Sequence, residues 1–304
     1  MKKNNLTKEE KAKRLYEQLK SQRKQYIKNH TRVKGYCSSK VWHRILLPLL
    51  KLLRVFEKQH ITVVGDERTD TDKPVIYACT HIGFYDPIIL IEVIKKPCWL
   101  FWGNPLEDLV TLFGWMARKN GTVLIDTYDK EDRKLARIEA EMLLNQGGSL
   151  MIFPEGAWNI TDNEPVMKLY QGTVSMALNT GAVIIPCALE QYGKEFYVNI
   201  GRNIQYEDKD IDIEQLNSEL RDILATLKWQ IWEKQPICKR KEIPENYREK
   251  YIKDILNDGE GKYTQKMIEA ERFHDKSVTT IEEVFQFMDT IILKKNNAFL
   301  YRKP

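Results

Sequence analysis

The stretch "PVIYACTHIGFYDPIILIEVIK", residues 74–95, passes from a β-branched and aromatic run through a short loop to an apolar run with helical spacing. The first seven residues predict a buried strand, because apolar and β-branched side chains follow one another almost without interruption. Asp86 and Pro87 then predict the start of a helix, since aspartate is favoured at the N-cap and proline at the first helical position. A strand that leads through a loop into a helix is the repeating unit of α/β folds.

The same alternation continues on both sides of this unit. Six further segments have the composition of strands: ITVVG (61–65), CWLFWG (98–103), TVLID (122–126), SLMIF (149–153), AVIIPCAL (182–189) and EFYVNIG (195–201). Helical periodicity occurs between them, at residues 107–119, 130–148 and 172–181. We therefore predict an α/β fold with a mixed, largely buried sheet flanked by helices.

Helical segments also precede and follow this region. Residues 6–30 are charged and rich in helix formers, which predicts a solvated helix. Over residues 41–56, apolar side chains recur at helical spacing between cations, a pattern typical of a helix in a membrane interface and equally of a core-packed helix kinked near Pro48. Past residue 205 the chain is again mostly helical. The predicted organisation is a basic amphipathic arm (1–60), a core (61–205) and a helical C-terminal extension (206–304).

The net charge of +5 hides an uneven distribution. Residues 1–60 carry 17 Lys and Arg against four Asp and Glu, whereas the remainder carries 31 against 39. A basic arm on an acidic body predicts an anionic partner, either nucleic acid or a membrane surface, and the acidic remainder argues against nucleic acid.

Cysteine usage and hydropathy indicate the compartment. The five cysteines are scattered without a CxxC pair, which predicts reduced thiols and no metal site. The chain has no run of about 18 apolar residues, and its first residues lack the apolar core of a secretory signal. We expect a cytoplasmic protein without a membrane-spanning segment.

Two interpretations of the opening stretch remain open at this point. Asp86 either only starts a helix or orients His81 as a catalytic base. In a continuous helix, side chains five positions apart point roughly 140° away from each other, but a loop bent at Gly83 would let the two side chains meet. A carboxylate that accepts from one ring nitrogen fixes the histidine tautomer and leaves the other nitrogen to remove a proton. Cys79 as a thiol nucleophile is a further alternative.

A second motif, "IFPEGAWN" at residues 152–159, follows directly on a predicted strand. It places Glu155 at a strand end, where loops of α/β sheets gather their ligands, although an ordinary Pro-Glu-Gly turn would have the same sequence. In the stretch "GAVIIPCAL", Pro186 interrupts an apolar strand, which predicts an edge strand or a bulge.

Together and in this order, the motifs resemble those of the glycerolipid acyltransferases, the family that includes lysophosphatidic acid acyltransferases. His81 and Asp86 match its His-x4-Asp signature, and Phe-Pro-Glu-Gly matches residues 153–156. Gly121 with Leu-Ile-Asp at 124–126 and the late Pro186 match two more blocks. The resemblance covers residues 61–205 and implies the sandwich fold of that family.

The resemblance also implies a reaction. His81, oriented by Asp86, would deprotonate an acceptor hydroxyl that attacks the thioester of acyl-CoA or acyl-carrier protein, without an acyl-enzyme and without a cofactor or metal. Glu155 and Gly156 would position the acceptor, and Pro186 would shape the strand near the donor. The predicted substrate-binding residues are Thr127, Phe153, Pro154, Glu155, Gly156, Trp158, Asn159 and Pro186. A lipid substrate further implies binding to the inner face of a membrane through residues 41–56 and the basic arm.

The chain departs from the family where a phosphate-bearing acceptor would need cations. Other residues occupy the positions that are usually basic in the family: Gly103 and Asn104 in the stretch FWGNP, Thr127 after Leu-Ile-Asp, Ala157 and Trp158 after Phe-Pro-Glu-Gly, and Gln171 before Gly172. Either other cations (Lys130, Arg133 or Lys168) replace them, or the acceptor head group is not a phosphate and Trp158 and Asn159 bind a different polar head group. An inactive, membrane-associated adaptor of the same fold is the alternative function.

Overall fold

One seven-stranded sheet forms the centre of the computed structural model, which describes residues 6–161, 164–206, 212–236, 238–258 and 262–272. The strands are β1 (His60–Asp66), β2 (Val75–Cys79), β3 (Trp99–Gly103), β4 (Thr122–Ile125), β5 (Ser149–Ile152), β6 (Val183–Tyr192) and β7 (Glu195–Ile200). Their order is β1-β7-β6-β2-β5-β3-β4, and β6 and β7 form the antiparallel pair in an otherwise parallel sheet. All seven predicted strands and the mixed sheet are therefore confirmed.

Helices cover the sheet. They are α1 (Lys8–Lys28), α2 (Tyr36–Phe56), α3 (Asp86–Ile94), α4 (Leu112–Asn120), α5 (Lys130–Asn145), α6 (Gly172–Thr180), α7 (Ile213–Glu233), α8 (Tyr247–Asp258) and α9 (Gln265–Glu271), with short 3-10 turns at Pro105–Glu107 and Arg240–Glu242. The part of the predicted helical C-terminal extension that follows residue 272 lies outside the described residues.

The two faces of the sheet belong to two apolar layers. Tyr77 and Cys79 of β2 face a layer that contains residues of α2, α3, α4, α8 and α9. Ile76 and Ala78, which alternate with them along the strand, face a layer built with α5, α6 and α7. The central strand β2 is consequently buried along its whole length. Helix α7 belongs to the predicted C-terminal extension, yet it covers one face of the core sheet.

Helix α4 begins later than the periodicity predicts. Residues 105–107 form a 3-10 turn, and the helix starts only after Thr111, whose hydroxyl accepts from Gly114 N–H at 3.1 Å. An N-cap threonine satisfies one of the free N–H groups of the first turn, which fixes the start of the helix at this residue.

Helix α1 has an exposed side, as its composition predicts, but it is less solvated than predicted. Arg23 is buried, with Nη1 3.1 Å from Asp132 Oδ1 and Nε 2.6 Å from Glu139 Oε2 of α5. Tyr16 O–H donates to Asp132 Oδ2 at 2.7 Å, and Lys20 lies 2.7 Å from Asp129. The acidic positions of α5 thus pair with cations of α1, because opposite charges removed from water require each other. Part of the positive charge of the arm is therefore balanced within the chain.

Helix α2 packs on the core with one side and exposes apolar residues on the other, so the core-packed interpretation of its sequence holds for one side. Leu46 and Leu50 are buried in the core layer, whereas the opposite side of the helix is exposed. Arg54 Nε and Nη2 each donate to a Glu92 carboxylate oxygen at 2.9 Å and fix α2 to α3. Pro48 lies inside the helix without ending it. Proline has no N–H, so the Arg44 carbonyl loses its helical donor; because Arg44 is exposed, water can take the place of that donor. No described helix is long and apolar enough to cross a membrane.

Candidate active site

The loop between β2 and α3 brings His81 and Asp86 together. His81 Nδ1 lies 2.7 Å from Asp86 Oδ2, and the Asp86 side chain is fully buried while that of His81 is 18 % exposed. The loop is short enough for the chain to return on itself before the helix begins. The two side chains that the sequence proposes as a dyad therefore form a hydrogen bond in the structure.

Asp86 does not act as the cap of helix α3, which the sequence pattern predicts. Tyr85 occupies the N-cap position, and Asp86 is the first helical residue. Its Oδ2 accepts from Ile82 N–H at 2.5 Å and from Gly83 N–H at 2.9 Å, in addition to the histidine ring. A carboxylate oxygen only accepts hydrogen bonds, so this contact selects the tautomer in which His81 Nδ1 donates to Asp86.

Cys79 is unsuited to be a nucleophile. Its side chain is fully buried, and burial, together with the neighbouring Cys187, raises the pKa of the thiol well above its usual range. A thiol held protonated in an apolar layer is neither accessible nor reactive. The structure therefore does not favour covalent catalysis through Cys79. Among the described residues, no three side chains of His, Cys, Asp or Glu cluster to bind a metal ion.

Glu155 lies directly beneath the His81 loop. It is fully buried, and its two oxygens accept from His81 N–H at 3.1 Å and from Met167 N–H at 2.8 Å. Burial raises the pKa of this carboxyl group, and the positive charge of Lys228 on α7 opposes the rise. The geometry therefore assigns Glu155 to holding two loops together, whereas the sequence predicted that it positions the acceptor.

The rest of the Phe-Pro-Glu-Gly segment packs around the same histidine. The Phe153 ring stacks on the His81 ring with centroids 4.0 Å apart and planes inclined by 19°. Tyr170 N–H donates to Pro154 O at 2.8 Å. Gly156 follows with φ of +73°, a conformation that favours glycine, and the Tyr170 ring lies where its Cβ would be. This segment therefore supports the His81 ring and turns sharply beneath Tyr170.

We expect Gly156→Ala to lower the free energy of unfolding by about 2 kcal/mol or more, because alanine is strained at positive φ and its Cβ would overlap Tyr170 Cε2. The control is Gly181→Ala, which has a similar φ of +68° but no atom within 4 Å of the added Cβ. Chemical denaturation of both variants measures the difference. Equal losses in the two variants would contradict a role for the Tyr170 contact.

Trp158 and Asn159 are not placed to bind a head group as predicted. Trp158 is buried between the rings of His81 and Tyr263, with centroids 6.1 and 4.7 Å away. Asn159 is also buried, and its amide donates to the carbonyls of Glu164 and Pro165, while its oxygen accepts from Thr161. Both side chains are used within the protein, because the loop after β5 folds over them.

Pro186 lies in a central strand and not at an edge. Strand β6 is flanked by β7 and β2, and Pro186 is the register partner of Ala78. Gly201 N–H donates to Pro186 O at 2.9 Å, and the side chains of Pro186 and Leu227 both lie against Gly201. The missing donor of proline is tolerated because the regular ladder with β7 ends next to it, at Cys187. Pro186 therefore lies under α7.

Thr127 and Asn104, two of the positions without the expected cation, contact each other. Asn104 follows β3 and Thr127 follows β4, and Thr127 N–H donates to Asn104 Oδ1 at 3.1 Å. Of the three candidate replacement cations, Arg133 contacts this pair, since its Nη1 donates to Thr127 O at 2.5 Å. The carboxyl ends of β2, β5, β3 and β4 lie side by side, so this pair belongs to the same edge of the sheet as His81.

The C-terminal helices complete the site, which the sequence did not reveal. Ile255 of α8 lies 3.3 Å from the position of a Cβ on Gly83, in the loop that holds the dyad. Tyr263 packs on Trp158, and its O–H donates to Asp108 Oδ2 at 2.6 Å. These segments carry no recognisable motif, so their position follows only from long-range packing.

Comparisons with known proteins find similarity to acyltransferases. The family model described as Acyltransferase matches residues 60–190. A Caenorhabditis elegans protein, provisionally named 1-acyl-sn-glycerol-3-phosphate acyltransferase acl-2, is 29 % identical over 145 residues, 47 % of this chain and 50 % of its own. A 1-acyl-sn-glycerol-3-phosphate acyltransferase of Borreliella burgdorferi is 28 % identical over 140 residues, 46 % of this chain and 55 % of its own.

The fold is also similar to a solved structure. The crystal structure of the 1-acyl-sn-glycerophosphate acyltransferase PlsC from Thermotoga maritima superposes with a TM-score of 0.52 at 14 % identity, covering 64 % of this chain and 81 % of that one. The chain spans about half the length of the two curated relatives described above. Residues 60–190, which carry the ordered motifs, match the Acyltransferase family model, and the fold around them is similar to that of the solved acyltransferase.

Proposed function

We propose that this chain is an O-acyltransferase that moves a fatty acyl chain from a thioester donor to a hydroxyl group of a lipid acceptor. The observation that carries the proposal is the hydrogen bond between His81 Nδ1 and the buried Asp86 carboxylate, which leaves Nε2 as the base. The names of the curated relatives, all acyltransferases, support the same reaction class.

In the proposed reaction, His81 Nε2 removes the proton of the acceptor hydroxyl as its oxygen attacks the thioester carbonyl carbon. The new C–O ester bond forms, the C–S bond breaks, and the departing thiolate takes the proton from the imidazolium. Asp86 stabilises the positive charge on His81 during this exchange and holds the ring in one tautomer. Glu155 contributes indirectly, because it fixes the backbone of His81. The donor is acyl-CoA or acyl-carrier protein, and the chain needs no cofactor for this chemistry.

The experiment that tests the proposal follows thiol release from acyl-CoA and from acyl-carrier protein. The purified chain is assayed with lysophosphatidate, other lysolipids and neutral acceptors, beside His81→Ala. Release that requires both an acceptor and His81 supports acyl transfer. If no pair gives His81-dependent release, the alternative of an inactive membrane-associated adaptor becomes the better interpretation.

We further propose that the exposed side of α2 and the start of α4 bind a membrane surface. Seven apolar side chains of α2 are exposed: Val41, Ile45, Leu49, Leu52, Leu53, Val55 and Phe56. Leu112 and Trp115 of α4 extend this surface, since Trp115 contacts Trp42 of α2 edge to face at 5.4 Å. Lys119 lies over the Trp42 ring at 5.1 Å, so a cation accompanies the aromatic pair. Apolar side chains flanked by cations and tryptophan suit an anionic leaflet.

A double variant, Ile45→Glu with Leu112→Glu, should bind vesicles containing anionic lipid at least about tenfold more weakly, because each change removes apolar burial and adds a charge that the leaflet repels. Co-sedimentation with sucrose-loaded vesicles measures the binding. The matched control is Trp229→Glu on α7, which changes an exposed apolar side chain in the other helical layer. Unchanged binding by the double variant would contradict the docking surface.

A further inference from the structure

The ends of β3 and β4 meet a carboxylate from the C-terminal helices. Asn104 links the two strands, because its N–H donates to Ile125 O at 2.8 Å and its side-chain carbonyl accepts from Thr127. The amide nitrogen of the same side chain donates to Glu271 Oε1 at 2.8 Å. Glu271, at the end of α9, thus lies where the sequence shows polar residues in place of the usual cations.

The position of Glu271 is fixed by contacts within α9 and directly before it. Ile268 is buried in the same apolar layer as Trp158. Before the helix, Tyr263 O–H and Lys262 Nζ donate to the buried Asp108 carboxylate at 2.6 and 3.0 Å. Because α9 is held by Ile268 and by the residues before it, the Glu271 carboxylate has a fixed position beside Asn104.

Glu271 also acts on the Phe-Pro-Glu-Gly side of the site. The Tyr170 ring lies against Gly156, and the pKa of its phenol is raised by burial and then by the negative charge of Glu271, while the positive charge of Arg133 opposes the rise. Glu271 is bonded to Asn104 and Arg133 is bonded to Thr127, so two opposite charges meet at this pair of residues. A site whose charges cancel is poorly suited to a phosphate monoester, since such a dianion needs an excess of cationic donors.

We propose that Glu271 determines acceptor specificity: its carboxylate disfavours acceptors that carry a phosphate monoester and favours lipids whose head group bears only hydroxyl groups. This inference rests on the proposed acyl transfer and names the acceptor class for the same site. Asn104 and Thr127 supply polar atoms beside the carboxylate, and a hydroxyl group can donate to a carboxylate, whereas a phosphate dianion is repelled by it.

The test compares Glu271→Gln with the parent chain, using lysophosphatidate and monoacylglycerol as acceptors. The parent chain should prefer monoacylglycerol. In Glu271→Gln, the ratio of kcat/KM for lysophosphatidate to that for monoacylglycerol should rise about tenfold, because one like charge is removed from a partly screened site. Glu271→Lys should raise the same ratio further, since it reverses the charge.

The matched control is Glu269→Gln, which removes the same charge from an exposed position of the same helix and should leave the ratio unchanged. Equal ratios in the parent chain, Glu271→Gln and Glu271→Lys would overturn the specificity role while leaving acyl transfer standing. A parent chain that prefers lysophosphatidate would also overturn it. If no acceptor gives His81-dependent thiol release, the proposed function itself fails and this inference fails with it.

Discussion

Replacing His81 by alanine should lower kcat for acyl transfer by about 10³- to 10⁴-fold, because the chain loses the only proposed base for the acceptor hydroxyl. The KM values for donor and acceptor should change little, since the imidazole acts on the reacting proton and not on the rest of either substrate. Steady-state thiol release at saturating donor measures both quantities.

The companion change is Asp86→Asn, which should lower kcat by about 10²-fold or more, because a neutral amide no longer stabilises the imidazolium and no longer fixes the Nδ1–H tautomer. It also weakens the bonds from Ile82 and Gly83 N–H to the same oxygen. Thermal unfolding of both variants separates loss of chemistry from loss of fold. Activity of His81→Ala within tenfold of the parent chain would refute the proposed base.

Replacing Glu155 by leucine should have the second-largest effect. The change removes both acceptors for the buried N–H groups of His81 and Met167, and each lost charge-assisted bond is worth about 1.5–3 kcal/mol. We therefore expect the free energy of unfolding to fall by about 3–5 kcal/mol. Because the His81 backbone is no longer held, kcat should fall by about 10²-fold even in molecules that remain folded.

Three observations would separate this positioning role from direct contact with the acceptor. Glu155→Gln keeps one acceptor oxygen and should retain more activity than Glu155→Leu. The KM for the acceptor should stay within about threefold of the parent value in Glu155→Gln, since in the structure the carboxylate faces backbone donors. A selective rise of acceptor KM with kcat unchanged would show instead that Glu155 binds the acceptor, as the sequence first suggested.

The contacts of α1 and α2 show where part of the positive charge of residues 1–60 is used. The number of charged residues predicts a basic arm that binds an anionic partner. In the structure, however, Lys20 and Arg23 pair with carboxylates at the start of and within α5. The exposed apolar side of α2, together with Leu112 and Trp115, remains as the surface proposed for a membrane. The total charge of residues 1–60 therefore overstates the positive charge available to the proposed docking surface.

Where sequence and structure agree, the information is local. The seven strands and the helices between them follow from side-chain periods of two and 3.6 residues, which depend on neighbours within one segment. The meeting of His81 and Asp86 is equally local, since one short loop between β2 and α3 determines it. The four ordered motifs of the resemblance lie within the region that the family model matches.

Where they differ, a distant segment decides. Trp158 and Asn159 look available for a ligand in the sequence, but the loop after β5 and Tyr263 cover them. Pro186 looks like an edge residue, but β7 returns antiparallel and places it in the interior of the sheet.

The sequence by itself therefore determined the α/β alternation, the motifs that resemble those of glycerolipid acyltransferases, and the candidate dyad, because each depends on residues close together along the chain. Only the tertiary structure decided that Glu155 holds the His81 loop, that α1 pairs with α5, and that Glu271 reaches Asn104. The physical reason is that burial and charge pairing depend on which remote segments pack together, and the last of these contacts joins residues 167 positions apart.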